Sequence, residues 1–330
     1  MAVRPPAVAR VLERVTQTAR AHQMFLPGES AVVAVSGGPD SMCMLHSLHL
    51  LGRLLRIHLE VFHFDHRLRE DSPLDARYAE RAAARLGLPF HLCVADSAPA
   101  KGESTEDWAR RARLRALART LKETGTDKAA MGHTLDDQAE TVLLAIIRGA
   151  GLDAAAGIRP VQGPYVRPLI DTTREEVEAF VRALRLRPRL DPTNRDTRIL
   201  RNAVRLRVIP ELERAVGREV KATLARTASV LREDAEELQD LARRAFDELY
   251  SEEPPGFSLL ATALISLPRA LGTRVARQAL YGTGVVPTSE NIDAVLDIAS
   301  GRRGRRRSLP DGLVVTRDRE YVRVSREGAG

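Results

Sequence analysis

The sequence predicts an α/β protein in which a doubly wound, mostly parallel sheet is followed by a helical linker and a small α+β domain. Three observations carry this. From residue 31, short β-rich runs alternate with longer helical patterns, the order of strand and helix units wound onto both faces of one sheet. The first run, residues 31–35, is apolar throughout, as a strand covered on both faces must be. Beyond about residue 200, long helical patterns follow one another with no strand between them.

In order, the strand at 31–35 leads into a helix over 41–51 that Gly52 stops, and a second strand occupies 57–64. An amphipathic helix over 74–86 ends at Gly87, a third strand takes 90–94, and a helix covers 103–121. A short fourth strand, 128–131, precedes a helix over 136–148 and a Gly/Ala-rich loop over 149–157. An extended piece surrounds Tyr165 to Pro168, and a helix over 173–184 carries an Asp171/Thr172 cap with Glu175 and Glu176 in its first turn. Helical patterns at 200–213 and 219–250 come next. Residues 252–256 are the clearest break, followed by helices at 268–281 and 289–298 and a hairpin of 313–316 with 321–325. The expected division is 1–215 for the α/β domain, 216–252 for the linker and 253–330 for the C-terminal domain.

Of the 330 residues 44% are hydrophobic and 29% charged, an ordinary globular balance that excludes collagenous and disordered chains. Lysine and arginine outnumber aspartate and glutamate by 51 to 44, a net +7 that points to a polyanion such as nucleic acid. Nearly all the positive charge is arginine, since Lys101, Lys122, Lys128 and Lys221 are the only lysines. Aromatics are 4%, too few to grip a strand by stacking its bases, so phosphate and shape are the expected recognition features. Cys43 and Cys93 form no zinc or iron–sulfur ligand pattern, which fits a reducing compartment. No apolar run reads as a secretory signal or approaches the ~20 residues of a membrane span, so the expected place is the cytoplasm with no membrane partner.

Three polar motifs fall at ends of predicted strands. Ser36, Gly37, Gly38, Pro39, Asp40 and Ser41 stand between the first strand and its helix, where glycines let the backbone approach a phosphate and a helix N-terminus faces it. The loop has neither the lysine of a Walker A motif nor the third glycine of the dinucleotide fingerprint. Pro39 suits a first helical position, and Asp40 offers a carboxylate able to hold Mg²⁺ against phosphate. Phe64-Asp65-His66-Arg67-Leu68-Arg69 follows the second strand. After the fourth, His133, Asp137 and Glu140 are spaced i, i+4, i+7 and share one face if a helix begins near His133; Asp136 or Asp137 can equally cap that helix. Ligands of open α/β sheets bind at the carboxyl ends of strands, so the three motifs mark one site. Elsewhere, Arg113 belongs to an arginine-rich helical stretch, and the loop Asp191-Pro192-Thr193-Asn194 precedes Arg198, Arg201 and Arg205, a stripe suited to phosphates. Arg302, Arg303, Arg305 and Arg306 form a basic run that is either a solvated loop or an RNA contact.

In order along the chain, S-G-G-P-D-S at Ser36, F-D-H-R-L-R at Phe64, A-R-R-A-R at Ala109, G-H-T-L-D-D-Q-A-E-T at Gly132, R-G-A-G-L at Arg148, R-P-L-I at Arg167, and D-P-T-N followed by L-R-N-A-V-R resemble the motifs of tRNA(Ile)-lysidine synthetases, in the N-type ATP pyrophosphatase (PP-loop) family. The resemblance implies an adenine nucleotide α-hydrolase-like fold. It also implies a two-step reaction: ATP adenylates the wobble cytidine of a CAU-anticodon tRNA(Ile), and free L-lysine then displaces AMP. Carried over, Ser36, Gly37, Gly38, Pro39, Asp40, Ser41 and His66 bind ATP, Asp40 also binding Mg²⁺. Asp40, Arg113, His133, Asp136, Asp137 and Glu140 form the reaction centre and lysine pocket. Arg201 and Arg205, with Arg302, Arg303, Arg305 and Arg306, face the nucleotide or the tRNA. A homodimer is compatible with this. Leu114 departs from the family pattern, which has tyrosine there. The part from 253 resembles the family's first C-terminal domain, with no counterpart of the second one found in longer members. Two rival readings are a PP-loop tRNA sulfurtransferase and a non-catalytic RNA-binding protein. The first needs paired or cluster-binding cysteines, whereas Cys43 falls in a predicted helix and Cys93 in a predicted strand. The second leaves the acids gathered at the strand ends unexplained.

Overall fold

The computed structural model describes residues 4–189, 193, 196–253, 256–284, 286–309 and 312–326. The chain divides into two compact units, Met1–Val230 and Leu231–Gly330. The first contains, in order, α1 (Pro6–Ala21), β1 (Ser30–Ala34), α2 (Pro39–Leu55), β2 (His58–Asp65), α3 (Ser72–Leu86), β3 (Phe90–Val94), α4 (Thr105–Thr124), β4 (Lys128–Ala130), α5 (Leu135–Ile147), α6 (Leu152–Ala155), β5 (Val161–Gln162), β6 (Tyr165–Val166), α7 (Arg174–Ala183), α8 (Leu200–Ala203), a π turn (Val204–Val208) and α9 (Ile209–Val216). The long helix α10, Lys221–Leu249, begins in this unit.

The sheet order is β3-β2-β1-β4-β6-β5, parallel except for the antiparallel β5–β6 pair. The chain winds outward from β1 to β3 and then returns through α4 to lay β4 on the other side of β1. Winding therefore reverses between β1 and β4, and in open α/β sheets ligands bind at the carboxyl ends of the strands at such a reversal. Because successive strand residues point to opposite faces, Val32, Phe62 and Ala129 pack on Ala116, Leu117 and Leu121 of α4. On the other face Ala31, Val33 and Val61 join the larger core of α1, α2, α3 and α7. This double cover is why the first strand reads as an unbroken apolar run.

The structure corrects several expectations. Helix α1 was not expected; it starts on Pro6, whose missing N–H is no loss in a first turn, and buries Val8, Val11, Leu12 and Val15 on one face. The cap of α7 is Thr173, closed by a reciprocal bond with Glu176, and not Asp171 or Thr172. The helix expected over 200–213 is broken by the π turn, because Pro210 has no N–H to continue the ladder.

The second unit holds β7 (Tyr250–Glu253), β8 (Gly256–Leu260), α11 (Ala261–Ser266), α12 (Arg269–Gly282), α13 (Ser289–Ser300), β9 (Arg306–Leu309), β10 (Leu313–Arg317) and β11 (Tyr321–Arg326). Its antiparallel sheet runs β7-β8-β11-β10-β9. Val275, Ala279, Val295 and Ile298 of α12 and α13 pack with Leu259, Val315 and Val324 of the sheet, and Ala242 and Leu249 of α10 join them. At 252–256 the strands β7 and β8 pair, Glu253 opposite Gly256. Gly256 is required there: a Cβ would lie 1.8 Å from the Val324 carbonyl oxygen. The basic run is not all loop, since Arg306 opens β9 and the neighbouring Arg307 pairs with Glu290 at 3.3 Å.

Candidate active site at the ends of the parallel strands

The Ser36–Ser41 loop follows β1 and closes on the first turn of α2. Gly37 takes φ +91°, and the Ser41 hydroxyl accepts from the Ser36 N–H at 3.2 Å and donates to the Gly38 carbonyl at 3.0 Å. Pro39 is the first residue of the helix, so the turn is stiff and the free N–H groups of the helix start point out of the strand end. From β4, Gly132 approaches so closely that a Cβ on it would sit 3.4 Å from the backbone of Asp40 and Ser41. The loops after β1 and β4 therefore form one wall. His66 lies after β2, where its Nδ1 accepts from the Leu68 N–H at 3.3 Å.

Asp40 has one carboxylate oxygen buried with no hydrogen-bond partner, and the other is 3.7 Å from the Arg174 guanidinium. Burial, aided by Asp137 and Asp136 and opposed by Arg174, pushes its pKa up to about 6. A carboxylate oxygen buried without a partner, on an acid whose charge burial disfavours, fits a divalent cation.

Helix α5 starts at Leu135 with Thr134 as its cap, so His133 stands before the helix and not in its first turn. This corrects the simple i, i+4, i+7 picture. Asp137 both caps and faces the site: its Oδ2 accepts from the Thr134 N–H at 2.8 Å, while Oδ1 lies 3.5 Å from Arg201. Burial works against its charge, but His133, Arg201 and the Thr134 N–H outweigh it and hold the carboxyl below the usual range. Glu140 is 1% exposed and sits between two guanidiniums, Arg201 at 2.9 Å and Arg205 at 3.2 Å. Even so, burial and the nearby Asp137 raise its pKa. Asp136, also buried, accepts from the Arg174 N–H at 2.8 Å and pairs with Lys221 at 2.9 Å. Burial lowers the His133 pKa to about 3, with Arg167, Arg113 and Arg201 acting in the same sense against Asp137, so the imidazole is neutral at pH 7.

The fold thus gathers Ser36 to Ser41, His133, Asp136, Asp137, Glu140, Arg201 and Arg205 around the ends of β1 and β4, with His66 at the end of β2. Arg113 approaches His133 from α4. Arg198 is apart, exposed and paired with Asp196 at 2.8 Å. Asp191, Pro192 and Asn194 lie outside the described residues. Arg302, Arg303, Arg305 and Arg306 are exposed on the second unit. Two site residues escaped the sequence reading. Arg174 opens α7 and reaches Asp40; Lys221 opens α10 and reaches Asp136, and its only sequence signal is rarity among the cations.

The description of a PP-loop domain matches residues 9–212. The tRNA(Ile)-lysidine synthase of Symbiobacterium thermophilum is 37% identical over 322 residues, covering 92% of this chain and 66% of that one. That of Solibacter usitatus is also 37% identical, covering 91% of this chain and 68% of the relative. The chain belongs to the PP-loop family of tRNA(Ile)-lysidine synthases. The Thermus thermophilus member is 39% identical, covering 88% of this chain and 56% of its own. The chain thus spans about two thirds or less of the length of most of these curated relatives. Among solved structures, a U34-tRNA thiolase from Methanococcus maripaludis superposes with a TM-score of 0.58 at 17% identity, covering 68% of this chain and 80% of that one, a likeness of fold. PP-loop membership implies ATP binding. Among the described residues no helix is long and apolar enough to cross a membrane.

Proposed function

We propose that this chain carries the ligase that joins free L-lysine to C2 of the wobble cytidine in a CAU-anticodon tRNA(Ile), forming lysidine with release of AMP and pyrophosphate. The observation that carries the reading is the meeting of a phosphate-binding turn with the Asp136, Asp137 and Glu140 carboxylates across one wall. A passive RNA binder has no use for buried acids there, because they repel phosphates.

The chemistry divides into two displacements. The Ser36–Ser41 loop and the start of α2 hold the ATP phosphates, with His66 beside them, while the C2 oxygen of the cytidine attacks the α-phosphorus and pyrophosphate leaves. Adenylation is needed because a urea-like oxygen leaves poorly and a phosphate ester leaves well. The lysine ε-amine then attacks C2 and expels AMP. Asp137 and Glu140 receive the incoming ammonium and take its proton, and a neutral His133 adds no charge to repel it. Asp40 would hold Mg²⁺, which when bound offsets the phosphate charge. Arg201 and Arg205 keep Glu140 in place and face the nucleotide, and Arg302, Arg303, Arg305 and Arg306 offer the second unit's charge to tRNA. The cytoplasm, where tRNA and ATP meet, is the corresponding location.

Thiolation draws no support from the cysteines. Cys43 is buried in the core with its thiol pKa raised by burial, and Cys93 lies in β3 beside Thr120 at 3.6 Å. The deciding experiment gives purified protein ATP, Mg²⁺, labelled lysine and the tRNA, omitting each in turn. Label in the tRNA that needs every component is the expected result. ATP cleavage without lysine transfer would reject the nucleophile, and no cleavage at all would reject the ligase.

A further inference from the structure

On the α4 side of His133 the charge balance inverts. Arg167 follows β6, and the parallel pairing of β6 with β4, Val166 opposite Ala130, brings it level with the turn into His133. It is 5% exposed. Its guanidinium donates to the Arg159 carbonyl at 2.6 Å and to the Gln162 side chain at 3.4 Å, both neutral acceptors, and its Nε is buried with no partner. Arg113 on α4 likewise has a buried Nε with no partner. Arg110, exposed one turn earlier on the same helix face, lies close enough for its charge to bear on both. The charges of Arg113 and Arg167 in turn reach His133, whose Nδ1 is a third buried nitrogen lacking a partner.

Among the described residues no aspartate or glutamate pairs with Arg110, Arg113 or Arg167. A guanidinium stripped of water normally has an acid beside it, and buried polar atoms normally have partners. Two guanidiniums with no acid beside them, each with a buried Nε that nothing accepts from, both bearing on one imidazole, describe a receptor for an anion that arrives from outside. Guanidinium forks match the geometry of phosphate oxygens.

We propose that Arg110, Arg113 and Arg167 form a phosphate site beside His133, distinct from the Ser36–Ser41 loop and separated from it by the turn after β4. The ligand chemistry is a phosphate oxyanion, supplied either by the RNA backbone next to the reacting nucleotide or by ATP. The site deepens the proposed reaction and rests on RNA and ATP meeting at these strand ends.

The test uses the full chain with Arg110→Gln and Arg167→Gln, each checked for folding by thermal melting. Arg110 is exposed, so its variant keeps the test alive if Arg167→Gln fails to fold. Binding of CAU-anticodon tRNA(Ile) is measured over a salt series, and MgATP binding by equilibrium dialysis without RNA. For a backbone phosphate, each variant lowers the steepness of log K against log salt by about 0.7–0.9 and weakens tRNA binding about tenfold, with ATP unchanged. A tenfold weaker ATP with an unchanged RNA slope assigns the site to the nucleotide. Folded variants that bind both as the wild type does overturn the proposal. A wild-type protein that shows these binding effects yet transfers no lysine sinks the ligase reading and leaves the phosphate site standing.

Discussion

The two sides of His133 differ in how their charges are met. On the α5 side every acid has a cation of the same chain: Asp40 faces Arg174, Asp136 faces Lys221, and Glu140 faces Arg201 and Arg205. On the α4 side Arg167 is buried and Arg113 half-buried with its Nε out of reach of water, and among the described residues neither has an acid beside it. Paired charges are already neutralised and hold a shape; a cationic substrate entering there has to share or displace them. Unpaired ones keep the protein short of a partner until one binds. The difference teaches that the acidic side is built for positioning and the basic side for capture.

The largest expected break comes at Asp40, and in opposite directions for activity and stability. Asp40→Asn removes the oxygen best placed for the cation, and AMP release should fall about 10³-fold or more. Stability should rise. The folded pKa, about 6, lies above the ordinary carboxylate value, so the charged form is penalised at neutral pH and the penalty fades as pH falls from 6 toward 4. Urea melts should show the variant more stable by about 2–3 kcal/mol at pH 8, with the gap closing by pH 4.

Glu140→Ala leaves two guanidiniums facing an empty space. It should cost about 3 kcal/mol in urea melts and reduce lysine transfer about 100-fold, while Glu140→Gln, which keeps the shape, falls between. Equal stability of all three proteins would remove Glu140 as the anchor of Arg201 and Arg205.

His133 sharpens the comparison through pH. Its folded pKa is below the ordinary value, so between pH 6.5 and 3 the unfolded chain binds a proton that the folded chain refuses, and stability drops as pH falls through that window. From pH 6.5 to 5 this amounts to about 2 kcal/mol, and His133→Asn should lack that share of the decline. The smallest effect is expected from Lys221→Met. Its ammonium is partly exposed, so melts should shift by about 1 kcal/mol or less, and a larger loss would mean Asp136 depends on it alone.

Much of the fold was legible because its signals are local. Strand β1 is a run of apolar residues closed by two glycines, and α4 and α3 end at Gly125 and Gly87 in left-handed conformation, as glycine permits. Helix α1 was missed: Pro5, Pro6 and the arginines obscured the helical spacing of Val8, Val11, Leu12 and Val15. The site divides the same way. Asp40, His133 and Asp137 sit in short motifs whose position after strands can be read. The bonds from Lys221 to Asp136 and from Arg174 to Asp40 cross long stretches of chain, and only the packing of α10 and α7 onto the strand ends brings them together. Asp137 was half visible: the sequence offers it as a cap or as a residue facing the strand ends, and its two oxygens do both, Oδ2 closing on the Thr134 N–H and Oδ1 turned to Arg201.

At Gly132 the β4 turn lies over the backbone of Asp40 and Ser41 with no side chain between them and room for little more than a methyl group. The Ser36–Ser41 turn and the segment bearing His133 and the Thr134 cap are thereby geared to each other, so a bulky side chain at this one position would act like grit in both at once.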